Sequence, residues 1–398
     1  SQETISTSEL NLSSYITTDS LLDNKQGKCD SVNLPPNSEK CIRFKKGDIL
    51  VANIRPYLKK IWLADIDGGC SADVLVFKSK EGYLPSFLYY ALLRDDFFIH
   101  SMKGSKGTKM PRGDKDHLLE FLIPNFNYAQ QEKISQVLSI LDAKIILNKN
   151  INNELEAMTK LINDYWFIQF DFPDEDGKPY KSSGGKMVYN KDLKRDIPKG
   201  WVLGTLDDLG TISGGSTPSS KEPLNFCSHG MPWLTPADMS KNTNRKYITR
   251  GSRDVSVKGI KSASLQIYPK GTVLLTSRAP VGYLAIARNE VTTNQGFKSF
   301  IPNKGYPEQY IFYVLDSYMK GIQNFSSGST FKEISGSILK IVPIPMPPAS
   351  IAKKFSERIS YIAALQNNIE LENEELEELR DWLTPMLMNG QVTVNEAS

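Results

Sequence analysis

Two stretches of the chain carry a seven-residue apolar period. In the first, Ile134, Leu141, Asn148, Leu155 and Ile162 recur every seven residues, with Val137, Ile151, Met158 and Tyr165 three positions on. In the second, Phe355, Ile362, Ile369, Leu376 and Leu383 recur in the same way, accompanied by Leu365, Leu379 and Met386. Four to five sustained heptads predict a coiled coil rather than an ordinary surface helix. Each helix alone would expose one apolar seam. The simplest arrangement packs one against the other, antiparallel, within the chain. Asn148 interrupts the first seam. It fits a buried polar residue that fixes register, and it fits equally a partly solvated position.

The remaining pattern is mixed. Short apolar or alternating runs at 49–54, 61–64, 74–77, 272–277 and 284–287 predict strands, punctuated by Gly and Pro. Segments 83–94 and 306–318 predict a matched pair of helices. A β-like run reaches a proline at Leu122-Ile123-Pro124 and again at Val342-Pro343-Ile344-Pro345, and a long helix follows each. The fold class is therefore α+β: two pseudo-repeated mixed α/β domains joined by two long helices forming an antiparallel intramolecular coiled coil. The expected boundaries are a first domain at 1–127, a helix at 128–166, a polar connector at 167–197, a second domain at 198–348, a second helix at 349–390 and a tail at 391–398.

The pseudo-repeat is explicit. Lys46-Gly47-Asp48-Ile49-Leu50 matches Lys270-Gly271-Thr272-Val273-Leu274 at an offset of 224, and Arg55-Pro56 falls on Ala279-Pro280. Tyr83 and Tyr90 match Tyr306 and Tyr313 at 223. Gly107-Thr108 matches Gly328-Ser329, and Ile123-Pro124 matches Ile344-Pro345, both at 221. An offset that drifts by three without jumping marks two copies separated by small indels. The 221 offset also maps one heptad register onto the other. Residues 201–212 have no counterpart in the first copy.

Charge adds an asymmetry. The net charge is only +3, but residues 201–348 hold 16 Lys+Arg against 9 Asp+Glu, and residues 349–398 hold 4 against 9. A basic domain beside an acidic helix suits an anionic partner on one face, although a solvated surface accounts for the same numbers. The four cysteines, Cys29, Cys41, Cys70 and Cys227, form no CxxC pair, and His100, His117 and His229 are scattered, so no metal site is expected. No apolar stretch is long enough to span a bilayer and the first residues lack a signal-peptide pattern, which makes cytoplasmic the expected location.

No catalytic motif emerges. Asn33-Leu34-Pro35-Pro36-Asn37 is not the Asp/Asn-Pro-Pro-aromatic loop of an adenine methyltransferase. No Gly-rich loop follows a strand as a nucleotide or methyl-donor site requires. Asp176-Gly177-Lys178 after Pro173-Asp174 only superficially resembles a nuclease motif. These absences favour binding over catalysis.

The chain resembles the specificity subunit of type I restriction–modification enzymes over essentially its whole length. Besides the two lobes and two heptad helices, Leu12-Ser13-Ser14-Tyr15-Ile16-Thr17-Thr18 looks like the opening of a first target-recognition domain. Phe172-Pro173-Asp174-Glu175-Asp176-Gly177-Lys178-Pro179-Tyr180 looks like the connector. Ile197-Pro198-Lys199-Gly200-Trp201, Gly214-Gly215-Ser216-Thr217-Pro218 and Pro232-Trp233-Leu234 resemble the second domain, and Ala129-Gln130-Gln131-Glu132-Lys133-Ile134 the start of a spacer helix. The resemblance implies a non-catalytic subunit whose target-recognition domains each read half of a bipartite site in double-stranded DNA. It also implies two methyltransferase subunits that modify adenine N6, and restriction/translocase subunits that join them. S-adenosylmethionine would sit on the methyltransferases, and this chain would bind no cofactor. A helix over 128–166 would be roughly 55–60 Å long at ~1.5 Å per residue, enough to hold two lobes more than one DNA turn, about 34 Å, apart.

Phosphate contacts need Lys, Arg or small hydroxyls, and base reading needs Arg, Lys, Asn, Gln, Ser or Thr on loops. The candidates in the first lobe are Arg55, Lys59, Lys60, Lys103, Lys106, Lys109 and Arg112. Those in the second are Thr217, Arg245, Lys246, Arg278, Asn294, Gln295, Ser329, Thr330 and Lys332. Arg278 fits a carboxylate partner as well as DNA, and Asn294-Gln295 fits a turn cap. The acidic run Glu370, Glu372, Glu374, Glu375, Glu377, Glu378 reads as a solvated face or a site for a basic partner. The rival to DNA reading is a duplicated coiled-coil scaffold that joins two protein partners, and a third reading is an autonomous DNA-modifying enzyme.

Overall fold

Asn127 opens the first long helix, Tyr128–Asn163. Its carboxamide oxygen accepts from the Gln130 amide at 2.9 Å, and Gln130 Oε1 accepts from the Asn127 amide at 3.1 Å. This reciprocal cap satisfies donors that the first turn leaves free. The helix runs into one π-helical turn, Asp164–Ile168, which buries Trp166 and Phe167. The second long helix, Ala349–Met388, follows Pro347-Pro348 and gives way to Gly390 at φ 70, a left-handed position that suits glycine.

The computed structural model describes residues 3–36, 40–107, 109–242, 245–278, 280–324 and 333–394. The chain forms two units, Ser1–Leu147 with Asn373–Ser398, and Asn148–Glu372. Within each, a part of one long helix lies antiparallel to a part of the other. In the first unit, Arg380 Nη1 donates to Asp142 at 2.9 Å and Asn373 Nδ2 to the Ile145 carbonyl at 3.4 Å. In the second, Asn148 Nδ2 donates to Glu372 at 2.7 Å and Gln366 Nε2 to Glu156 at 3.0 Å. Partner numbers fall in one helix as they rise in the other.

The heptad residues Ile134, Asn148, Phe355 and Ile369 are buried, and Leu141, Leu155, Ile162, Ile362, Leu376 and Leu383 are half-buried. Asn148 is therefore an interior residue with a partner. The companion column differs from expectation. Ile151, Met158, Tyr165 and Leu379 are exposed. The buried column lies one residue further on: Gln131, Leu138, Ile145, Asn152, Thr159 and Trp166 in one helix, and Ala352, Ile359, Gln366, Asn373, Arg380 and Leu387 in the other. These two sets are again related by the 221 offset. Half of this column is polar, so a search for apolar residues slides onto the wrong face.

The lobes repeat one sheet motif. In the first unit Ile49–Ala52 lies between Ile61–Leu63 and Val74–Phe77, antiparallel to both. In the second, Val273–Leu275 lies between Leu284–Ala287 and Lys298–Ile301 in the same sense. The preceding turns contain Gly47 (φ 92) and Gly271 (φ 84), matched positions where a Cβ would be strained. The bridge Ile54↔Arg112 recurs at the matched positions Arg278↔Glu333. Helix Pro85–Leu93 matches the start of Glu308–Asn324.

The lobes differ at one edge. Pro343–Met346 forms a strand because Val202–Thr205 pairs with it antiparallel. No described strand pairs with 122–124, so that run forms none, contrary to expectation, and Leu122 stays 86% exposed. The segment 201–212 without a counterpart in the repeat is the one that supplies the partner strand in the second unit.

Candidate DNA interface

In the first unit two loops are stitched together. Arg55 and Lys59 both sit in the left-handed region at φ 53, flanking the turn Pro56–Leu58. Such positions are strained for non-glycine residues and persist where surrounding bonds hold them. Here the Arg55 amide donates to the Pro111 carbonyl at 2.8 Å, and Lys106 and Arg112 exchange backbone hydrogen bonds at 3.0 Å. This brings Arg55, Lys103, Lys106, Lys109 and Arg112 onto one basic surface. Tyr57, half exposed at the tip of the turn, joins them. Sequence reasoning missed it, although Arg55-Pro56-Tyr57-Leu58-Lys59 interleaves an aromatic ring with basic residues.

The cations on this surface are in different states. Among the described residues Arg55, Lys103 and Lys109 form no ion pair. Lys106 pairs with Asp114 at 3.0 Å, Arg112 with Asp73 at 2.6 Å and Lys59 with Asp95 at 2.8 Å. The Lys106 ammonium holds the Asp114 carboxyl below its ordinary range. Exposed pairs of this kind are screened by solvent and add little stability, so a phosphate can replace the carboxylate at little cost. Lys60 is otherwise occupied: its ammonium donates to the Thr18 carbonyl at 2.7 Å and pairs with Asp23 at 3.2 Å.

In the second unit the Gly214–Thr217 loop is fixed by Ser216, whose amide donates to the Thr293 carbonyl at 3.0 Å. A Cβ on Gly215 would meet that carbonyl at 2.2 Å, so only glycine allows the approach. The exposed Thr217 hydroxyl donates to Gln295 Oε1. Asn294 Oδ1 accepts from the Gly296 amide at 2.8 Å, so this residue caps its turn. Arg278 has Glu333 at 3.9 Å, the carboxylate alternative anticipated for it. Arg245 is half-buried. Ser329, Thr330 and Lys332 lie outside the described residues.

Lys246 requires correction. It is 5% exposed, and its ammonium donates to the Tyr313 hydroxyl at 2.5 Å and lies 3.7 Å from Glu156. Burial lowers its pKa to about 8, against the pull of Glu156 and Glu370. It is an internal strut and does not reach DNA. Glu370 is likewise no part of a solvated face. At 3% exposure it accepts from the amides of Lys246 at 2.8 Å and Tyr247 at 3.0 Å, and from Arg288 at 3.0 Å. Burial raises its pKa against those donors.

The profile described as Type I restriction modification DNA specificity domain matches residues 5–157 and 198–381. The chain belongs to this family. Its role is DNA recognition, and it is not itself an enzyme. Among relatives of this specificity chain, the type I restriction enzyme MjaIX specificity subunit of Methanocaldococcus jannaschii is 44% identical over 188 residues, 46% of this chain and 42% of that one. The HindI specificity subunit of Haemophilus influenzae is 26% identical over 95% of this chain and 94% of its own. A solved S subunit of a type I restriction–modification system from M. genitalium covers 100% of this chain and 97% of its own, at 14% identity and a TM-score of 0.48. No helix among the described residues is long and apolar enough to cross a membrane.

Proposed function

We propose that this chain is the sequence-recognition subunit of a type I restriction–modification complex, with target-recognition domains at 1–127 and 198–348 each reading one half of a split DNA site. The long helices at 128–166 and 349–390 act as the spacer. They also dock two methyltransferase subunits that carry S-adenosylmethionine and modify adenine N6. Restriction/translocase subunits join through them, in the cytoplasm. The observation that carries this reading is the family match falling twice, once on each copy of the repeat.

A basic loop surface in the first unit and a polar loop surface in the second support it. Backbone-positioning contacts come from residues such as Arg55, Lys103 and Lys109, and base reading from polar side chains held on rigid loops. The test is co-expression with the neighbouring methyltransferase subunit in a methylation-free host, followed by genome-wide mapping of N6-methyladenine. One split motif with a fixed gap, lost when this chain is omitted, is the expected result. The same motif without this chain leaves the scaffold reading in its place.

A further inference from the structure

The second unit contains a cleft of about 480 Å³ that no candidate residue lines. Its walls include Phe226, Cys227, His229, Arg250, Arg253 and Asp254. The exposed Arg253 guanidinium lies over the Phe226 ring, 3.7 Å from its centroid. Among the described residues Arg253 forms no ion pair. Arg250 pairs with Asp254 at 2.8 Å, and the same Asp254 oxygen accepts from the Gly230 amide at 3.1 Å. His229 sits just before that amide at φ 60, a strained position held by the turn. Both arginines are thus set in place before any ligand arrives.

Side-chain contacts connect this cleft to the Gly214–Thr217 loop. Phe226 meets Trp233 edge-on at 5.7 Å, and Trp233 Nε1 donates to the Ser216 carbonyl at 3.1 Å. The next residue, Thr217, donates to Gln295. Arg253 therefore belongs to the same supported surface as the candidate loop.

We infer that Arg253, with its plane set by Phe226, reads a guanine in the half-site bound by the second target-recognition domain. This rests on the DNA-recognition role proposed above. A guanidinium stacked on a ring keeps its N–H fork in plane and pointing outward. That fork matches O6 and N7 on the major-groove edge of guanine, the commonest base-specific bidentate pairing. A phosphate fits the cleft less well. Arg250 is already neutralised by Asp254, and that fixed carboxylate repels a second anion but not a neutral base edge.

Among the described residues, the first unit arranges its strands differently. There Lys40–Phe44 pairs with Gly68–Cys70, the strand that also takes Tyr15–Ile16 in parallel. In the second unit Arg253–Val255 pairs instead with Met231–Leu234, across the sheet from Thr292–Thr293. The Arg253 contact is thus confined to one half of the split site.

The test is the methylome of the whole complex with wild type, Arg253→Ala, Arg253→Lys and Phe226→Leu. Expected for Arg253→Ala and Arg253→Lys is a loss of preference for guanine at one position of one half-motif, by roughly 10- to 100-fold, with the other half-motif and the gap unchanged. Phe226→Leu should weaken the same position less. The unchanged half reports that the variant chain is folded and assembled. Unaltered motifs in both arginine variants overturn the assignment. So does a uniform fall in methylation at every site that Arg253→Lys restores, because that is the mark of a phosphate contact. A wild-type chain that imposes no split motif overturns the recognition reading and this assignment with it, whereas an intact wild-type motif leaves that reading standing whichever way Arg253 falls.

Discussion

The two units fasten their lobes to the long helices with different chemistry. In the first, Ile134, Leu138, Leu387 and Met388 pack into one apolar cluster with Phe87, Leu88 and Leu92. Polar support there is lighter: Asp142 accepts from Tyr90 at 2.8 Å and from Arg380 at 2.9 Å, and Gln131 accepts from the Leu84 amide and donates to the Gly82 carbonyl, both at 2.9 Å. In the second, Trp166, Phe167, Phe355 and Ile359 also bury apolar area, but a polar set lies beside them. Glu156 accepts from Tyr313 at 2.8 Å and Gln366 at 3.0 Å, while Glu370 takes two backbone amides and Arg288. Tyr247 adds a hydrogen bond to the Ala363 carbonyl at 3.2 Å. Apolar packing holds without much direction, whereas hydrogen bonds to buried charge fix orientation and fail sharply when one partner is lost.

Removing the buried carboxylate gives the largest expected effect. Glu370→Ala leaves the amides of Lys246 and Tyr247 without their acceptor and Arg288 without its counter-charge. Breaking a buried pair in this way costs about 3–5 kcal/mol. Hydrogen exchange should show that loss in the second unit alone. An equal loss of protection in the first unit would mean that the two junctions are not independent.

Alkaline pH should separate the units next. The Lys246 pKa in the folded chain is about 8, below its ordinary 10.5, because burial disfavours the ammonium. Between those values the unfolded chain holds a proton that the folded chain has released. The second unit therefore gains stability as pH rises from 8 towards 10, by up to about 1.4 kcal/mol per pH unit. The first unit responds the other way. Burial pushes the Cys70 thiol up to about 12 from 9.0, so above pH 9 the unfolded chain is the one that loses a proton. Above pH 10 the buried phenols of Tyr247 and Tyr313, also raised, reverse the gain in the second unit. Limited proteolysis at pH 8, 9 and 10, read by fragment, should show protection growing in the second unit and shrinking in the first. Lys246→Met should abolish the first trend and Cys70→Val the second. A parallel response in both units would remove Lys246 as the cause.

The smallest effect tests the lighter polar junction. Tyr90→Phe removes one hydrogen bond to Asp142, which keeps Arg380 as a partner. A loss of about 1 kcal/mol is expected, read as a shift in the urea midpoint of the first unit. A loss as large as that of Glu370→Ala would show that this junction, too, depends on buried charge.

Much of the architecture was legible because apolar periodicity and repetition report burial directly. The heptads at Ile134 and Phe355, the strands around Ile49 and Val273, and the matched helices follow from those signals. The companion column was misread because Asn152, Thr159, Gln366, Asn373 and Arg380 are buried polar residues, and hydropathy alone assigns such residues to the surface. The candidate interface was legible where glycines and basic residues alternate in sequence, as at 103–112. It failed at Lys246, since a lysine's place in the fold depends on distant partners, here Glu156 and Tyr313. It also missed Arg253, whose defining neighbour Phe226 lies 27 positions away. No local pattern announces a ring that will orient a guanidinium.

The uncovered side chain of Leu122 has a practical consequence. Its matched residue in the other copy is Pro343, on a strand that is already paired, and proline offers no amide to an incoming chain. Leu122 combines an apolar side chain, 86% exposed, with backbone in no strand, so it offers other molecules an uncovered apolar contact. In concentrated preparations it offers a contact for self-association, and Leu122→Lys should improve solubility without touching either lobe's loops.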